Sequence, residues 1–179
     1  MTSENLRAHN HKRHAGREDL TGEHRLGDTV QLILLLIFLA VWILDSFVLH
    51  HATFLTRSIP WYVNTPLGII LLVAAFVLSR SGLKMVFGET QETPHVIIQG
   101  VFSIVRHPIY LGVILVYIGL SCMTLSLLSA ALLIIIIPFY RYISRYEERL
   151  LIMRFGDEYQ TYMRKVPMLF PLRIFRFRT

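Results

Sequence analysis

The chain has one cysteine, Cys122, in 179 residues. That excludes an internal disulfide and any multi-cysteine metal centre, and its apolar surroundings predict a buried, unreactive thiol. None of the ten glycines forms a Gly-x-Gly, so the glycine-rich nucleotide loop of soluble α/β enzymes is missing. Charge is also scarce, at 17% of residues, and from Ile109 to Ile137 there is none. What fills the gap is hydrophobic: 54% of the residues are apolar or aromatic and the mean hydropathy is +0.51. Apolar runs of this length exceed what a globular core helix needs and predict a small, all-α integral membrane protein.

Residues 1–28 are charged, rich in histidine and without apolar periodicity. They lack the basic, apolar, small-residue order of a signal peptide and read as a disordered or surface-lying cytoplasmic tail. His9, His11 and His14 have nothing to fix them around a metal, so no metal site is expected. Residues 29–179 form the membrane domain. The run "VQLILLLIFLAVWILDSFVL", 30–49, is long enough to cross a bilayer, with Asp45 near its far end read as an interfacial carboxylate. Trp61 and Tyr62 follow as an aromatic belt, and Pro66 suits the first turn of a second span at 65–79.

The uncharged stretch from Ile109 to Ile137 would measure about 43 Å as one helix against roughly 30 Å of hydrocarbon. A helical hairpin with arms at 109–121 and 124–143 fits better. Charge placement decides the count: of 18 Lys and Arg, five precede Val30, three lie between Arg80 and Arg106, nine follow Ile137, and Arg57 alone falls in the first connector. Four spans put 17 of the 18 on one side, which by the positive-inside rule is cytoplasmic, with both termini. The C-terminal region then reads as a cytoplasmic helix from Tyr140 to Phe155, ended by Gly156. Asp157 and Gln160 form a capping box for a second short helix. The final "LRIFRFRT" alternates basic and apolar residues and reads as a membrane-surface anchor or a lid.

Three-residue spacing sets His107 and Tyr110 on one face, with Arg106 expected to snorkel outward to phosphate. On the helix beyond the last span, Ser144, Glu147 and Leu151 share one stripe, and Arg141, Arg145 and Glu148 an adjacent one. Taken alone, these are an ordinary helix start and a solvated charged face.

Together they form an ordered pattern. "GVFSIVRHPIYLG", followed about 35 residues later by "EERLLIMRFGDEYQTYMRKVPMLFP", resembles the signature of the isoprenylcysteine carboxyl methyltransferases and their phospholipid methyltransferase relatives, over roughly Pro94 to Pro171. The resemblance implies an integral-membrane methyltransferase using S-adenosylmethionine. It implies cofactor contacts from His95, Val96, Ile97 and Ile98, from Phe102, from His107, Pro108, Ile109 and Tyr110, and from Glu147. Phe102 stands where the family commonly has Tyr, and Ile143 where an arginine is thought to hold the substrate carboxylate, so Arg141 or Arg145 would substitute. Glu148 or His107 would serve as base for an amine or hydroxyl acceptor. The expected partners are a lipophilic or lipid substrate and a bilayer with anionic head groups, without nucleic acid. An NADPH-dependent sterol-reductase-like enzyme and a non-enzymatic membrane scaffold are the two other readings.

Overall fold

A computed structural model describes residues 25–87 and 95–171, and these contain helices and connectors with no strand. Helix α1, Arg25–Ile43, continues through a π-helical turn at Leu44–Leu49. After a 3-10 turn at Phe54–Arg57 come α2, Trp61–Phe87, and α3, Pro108–Thr124. The last two helices are α4, Leu127–Phe155, and α5, Asp157–Lys165. Among the described residues three helices are long and apolar enough to cross a membrane: Gly27–Leu49, Trp61–Phe87 and Leu127–Phe155; α3 is apolar but shorter. His9, His11, His14 and the terminal "LRIFRFRT" lie outside the described residues.

Small residues weld α2 to α3. Gly68, Ala75 and Gly82 recur every seventh residue on α2 and face Gly119, Gly112 and Ile109 on α3 in turn. A Cβ on Gly68 would lie 2.7 Å from the Gly119 carbonyl oxygen, and one on Gly112 would lie 2.9 Å from that of Ala75. The pairs Gly68 with Gly119 and Gly82 with Ile109 make the two helices antiparallel. Helix α4 folds back along α3, with Ser129 beside Ser121 and Tyr140 beside Tyr117. Helix α1 runs parallel to α3: Phe38 meets the Tyr117 ring edge-on at 4.6 Å, and the Trp42 indole N–H donates to the Leu120 carbonyl at 3.0 Å. Around these contacts Phe38, Ile114, Tyr117, Ile136, Tyr140 and Leu169 form the main core.

Several boundaries differ from expectation. The hairpin turns at Leu125 and Ser126, not Ser121 to Thr124: Leu125 is left-handed, and the Ser126 hydroxyl caps α4 by accepting from the Ser129 N–H. Helix α2 is 27 residues long because Arg80 and Lys84 end the apolar segment without ending the helix. Asp157 is the first residue of α5 and caps nothing; Gly156, at φ +55°, is the junction. Asp45 faces the protein interior rather than solvent. It is 1% exposed, accepting from the Ala52 N–H at 2.8 Å and from the Ser126 hydroxyl at 2.5 Å.

Candidate active site

The site forms at one end of the bundle, where α3 begins and α4 runs past its apolar half. Gly100 turns the chain at φ +55°, where an added Cβ would meet the Met85 sulfur at 2.8 Å. The 3-10 turn Gly100–Ser103 then delivers Val105 into the interior, and Arg106 and His107 follow. Their backbone N–H groups donate to the carbonyls of Pro167 and Met168 at 3.0 and 3.1 Å. Pro108 occupies the first helical turn, where its missing N–H costs nothing.

Helix α4 offers this turn a buried seam of Tyr140, Ser144 and Glu148, four residues apart, with Glu147 at its edge. Glu148 is 3% exposed. Arg106 Nε stands 2.7 Å from Glu148 Oε1, an ion contact without the N–H alignment of a hydrogen bond, while Arg106 Nη1 donates to the Met163 carbonyl at 2.8 Å. His107 lies between the two acids, Nε2 3.3 Å from Glu148 and Nδ1 3.4 Å from Glu147. The Tyr110 hydroxyl donates to Glu147 Oε1, and its ring stacks on the His107 imidazole, 9° from parallel.

Burial opposes charge on His107, but the hydrogen bonds and charges of Glu147 and Glu148 outweigh it and raise its pKa above the ordinary value. With His107 protonated the cluster balances two cations against two carboxylates, the arrangement buried charges require. Beside it, burial pushes the Tyr162 phenol up to about 12, so it stays a donor, to the Phe102 carbonyl at 2.6 Å.

The structure joins the two motif halves but distributes the predicted residues unevenly. His107, Tyr110, Glu147 and Glu148 meet in one cluster. Pro108 is buried beneath it and Ile109 packs toward Gly82. Val96 turns away to pack with Tyr159, Tyr162 and Val166, leaving Ile97 half-buried, Ile98 exposed and His95 exposed at the start of its segment. Phe102 is half-buried and holds the site through its carbonyl. Arg141 and Arg145 are exposed and, at 100° per residue, lie about 120° and 160° around α4 from Glu147. Ser144 shares its buried stripe with Glu148, not with Glu147 as three-residue spacing predicts.

Arg106 is the main departure. It does not snorkel; its side chain is 8% exposed, because Glu148 and the Met163 carbonyl satisfy it inside. Sequence reasoning also missed Tyr162, Met163, Pro167 and Met168, which tie α5 and the following segment to the His107 turn. The three-residue spacing of Tyr159 and Tyr162 was the available signal, since it predicts one buried aromatic face on α5.

Comparison with known proteins bears on the same segments. Residues 63–158 match the family model described as phospholipid methyltransferase. The chain is 36% identical over 110 residues to methanethiol S-methyltransferase 2 of Bradyrhizobium diazoefficiens, covering 59% of this chain and 37% of that protein. It is 28% identical over 108 residues to protein-S-isoprenylcysteine O-methyltransferase of Schizosaccharomyces pombe, covering 59% and 46%. With protein-S-isoprenylcysteine O-methyltransferase B of Arabidopsis thaliana it shares 29% over 114 residues, covering 60% and 58%. The matches thus cover less than two thirds of each relative's length. No solved structure matches the chain.

Proposed function

Because the chain belongs to the phospholipid methyltransferase family, we propose that it transfers a methyl group from S-adenosylmethionine to a lipophilic or amphiphilic acceptor at the membrane interface. The observation that carries this reading is the contact between the two motif halves, in which His107 and Tyr110 at the start of α3 engage Glu147 on α4.

The residues fit such a cofactor. Glu147 is 28% exposed and each oxygen faces one internal donor, which leaves acceptor positions on its open side for an ammonium or a ribose hydroxyl. Both ring nitrogens of His107 face carboxylates, so its contribution to an anionic group is its positive charge. Ile98, 53% exposed, with Phe102 supplies apolar surface for a base. When bound, S-adenosylmethionine supplies a methyl on an already activated sulfonium, so the protein's task is alignment and exclusion of water. Glu148, held by Arg106 and His107, serves as a positioning residue that fixes the imidazole. Relatives named for methanethiol and for protein isoprenylcysteine put both sulfur and oxygen acceptors within the class.

The topology that suits this chemistry has four crossings. Helix α3, about 26 Å long at 1.5 Å per residue, runs beside α1 in the same direction and against α2 and α4. Reading it as the third crossing places the site end, with 17 of the 18 Lys and Arg, at the cytoplasmic face.

Titration of the purified chain in nanodiscs with S-adenosylhomocysteine, beside NADPH, tests the proposal. Saturable binding of the first is expected, weakened by about 1.5–3 kcal/mol in Glu147→Ala, the worth of a hydrogen bond to a charged group. Unchanged affinity in the folded variant removes Glu147 from the site, and binding of NADPH alone moves the protein to the reductases.

A further inference from the structure

One face of α4 is left over by the site. At 100° per residue, Ile134, Pro138, Arg141, Arg145 and Arg149 fall within about 80° of one another, roughly opposite Glu147 across the buried Tyr140, Ser144 and Glu148 seam. Along this face the character changes once. Ile134 is 76% exposed and Pro138 is exposed, and next come three exposed arginines. Among the described residues no carboxylate lies within ion-pair distance of Arg141, Arg145 or Arg149.

The cationic end borders an open groove of about 380 Å³ lined by Arg106, Arg145, Glu148, Arg149, Ile152, Met163 and Met168. Its one carboxylate, Glu148, is already engaged by Arg106 and His107, so the space keeps a net positive charge over a floor of Ile152, Met163 and Met168. Unpaired arginines beside an apolar surface suit an anion that carries its own apolar part.

We propose that this face holds one anionic phospholipid of the surrounding bilayer, its phosphate on Arg145 and Arg149 with Arg141 alongside, and an acyl chain lying on Pro138 and Ile134. Ile134 and Arg145 are 11 residues apart, about 16 Å along the axis, which a lipid headgroup and the upper part of its chain span. The site is separate from the proposed cofactor face, and it stands whether or not methyl transfer is the reaction. It shares Arg106 and Glu148 with the cluster that holds His107.

The test is native mass spectrometry of the full chain in detergent, titrated with phosphatidylglycerol or phosphatidylcholine. One phosphatidylglycerol is expected to be retained per chain and phosphatidylcholine not. Arg145→Gln with Arg149→Gln should weaken retention about 30-fold, at roughly tenfold or less per arginine. The pair Arg145→Lys and Arg149→Lys should stay within a few-fold, and Arg80→Gln with Lys84→Gln, an equal loss of charge on α2, should change nothing. Equal weakening in the α2 variant would reduce the effect to diffuse surface charge. Equal retention of phosphatidylcholine, or displacement of the lipid by millimolar inorganic phosphate, would also overturn the proposal. Lipid-free melting temperatures matching the parent keep a folding defect from imitating the result.

Discussion

Asp45 and Glu148 are both buried carboxylates, at opposite ends of the same bundle, and they are satisfied in opposite ways. Asp45 takes neutral donors only, the Ala52 N–H and the Ser126 hydroxyl. Ser126 in turn caps α4, and the Leu127 N–H donates to the Ala52 carbonyl, so one acid joins the end of α1, the following connector and the start of α4. Glu148 takes cations, Arg106 at 2.7 Å and His107 at 3.3 Å. The donors to Asp45 are fixed parts of the backbone and of a helix cap, so they make a structural joint. Charged donors make one whose strength depends on protonation and on what charge a ligand brings, which is where a binding site is expected to be built.

The sharpest way to break this comparison is to remove a cation. Arg106→Leu leaves Glu148 buried with only the more distant imidazole, and uncompensated buried charge costs about 3–5 kcal/mol. A large drop in thermal stability in detergent is expected, and adding Glu148→Gln should recover much of it, because the double variant no longer buries a lone charge. Additive losses would mean the pair is not coupled and the contrast with Asp45 is empty. At the other end, Asp45→Asn keeps an acceptor for Ala52 but weakens two charge-assisted bonds, an expected loss of about 1–3 kcal/mol by the same thermal assay. A loss at Asp45 exceeding that at Arg106 would reverse the ranking of the two joints.

The two ends also differ in how much of them the residue order shows. At the site end the Arg-His-Pro-x-Tyr turn and the paired acids are local patterns, and their meeting follows once the hairpin is inferred from the uncharged stretch. The inward turn of Arg106 does not follow, because its partners Glu148 and Met163 lie 42 and 57 residues away and nothing in the Arg-His-Pro context distinguishes a buried guanidinium from a snorkelling one. Asp45 was harder still. Its neighbours on α1 are apolar and lipid-length logic places it at an interface, whereas its burial depends on Ser126, 81 residues on. Between the ends, the seven-residue recurrence of small residues on α2 and α3 was present in plain view, and it explains why those two helices pack so closely. Helix α2 runs past the apolar span expected at 65–79, because Arg80 and Lys84 are good helix formers and do not interrupt helical geometry.

The smallest effect separates the two joints by pH. His107 in the folded chain has its pKa raised above 6.5, so the stability it contributes is complete below that value and is lost as pH rises through the folded pKa. The sign is opposite to that of a carboxylate with a lowered pKa, whose contribution would be lost on acidification. Melting temperature should therefore fall as pH is raised from about 6.5. The slope should flatten in His107→Gln, which keeps a polar group between Glu147 and Glu148 but cannot charge, and persist in Asp45→Asn, which leaves His107 and both of its carboxylates in place. A slope that survives in His107→Gln would assign the titration to another group. Its disappearance would tie the protonation of one imidazole to the closure of α3 onto α4, the contact on which the proposed cofactor site depends.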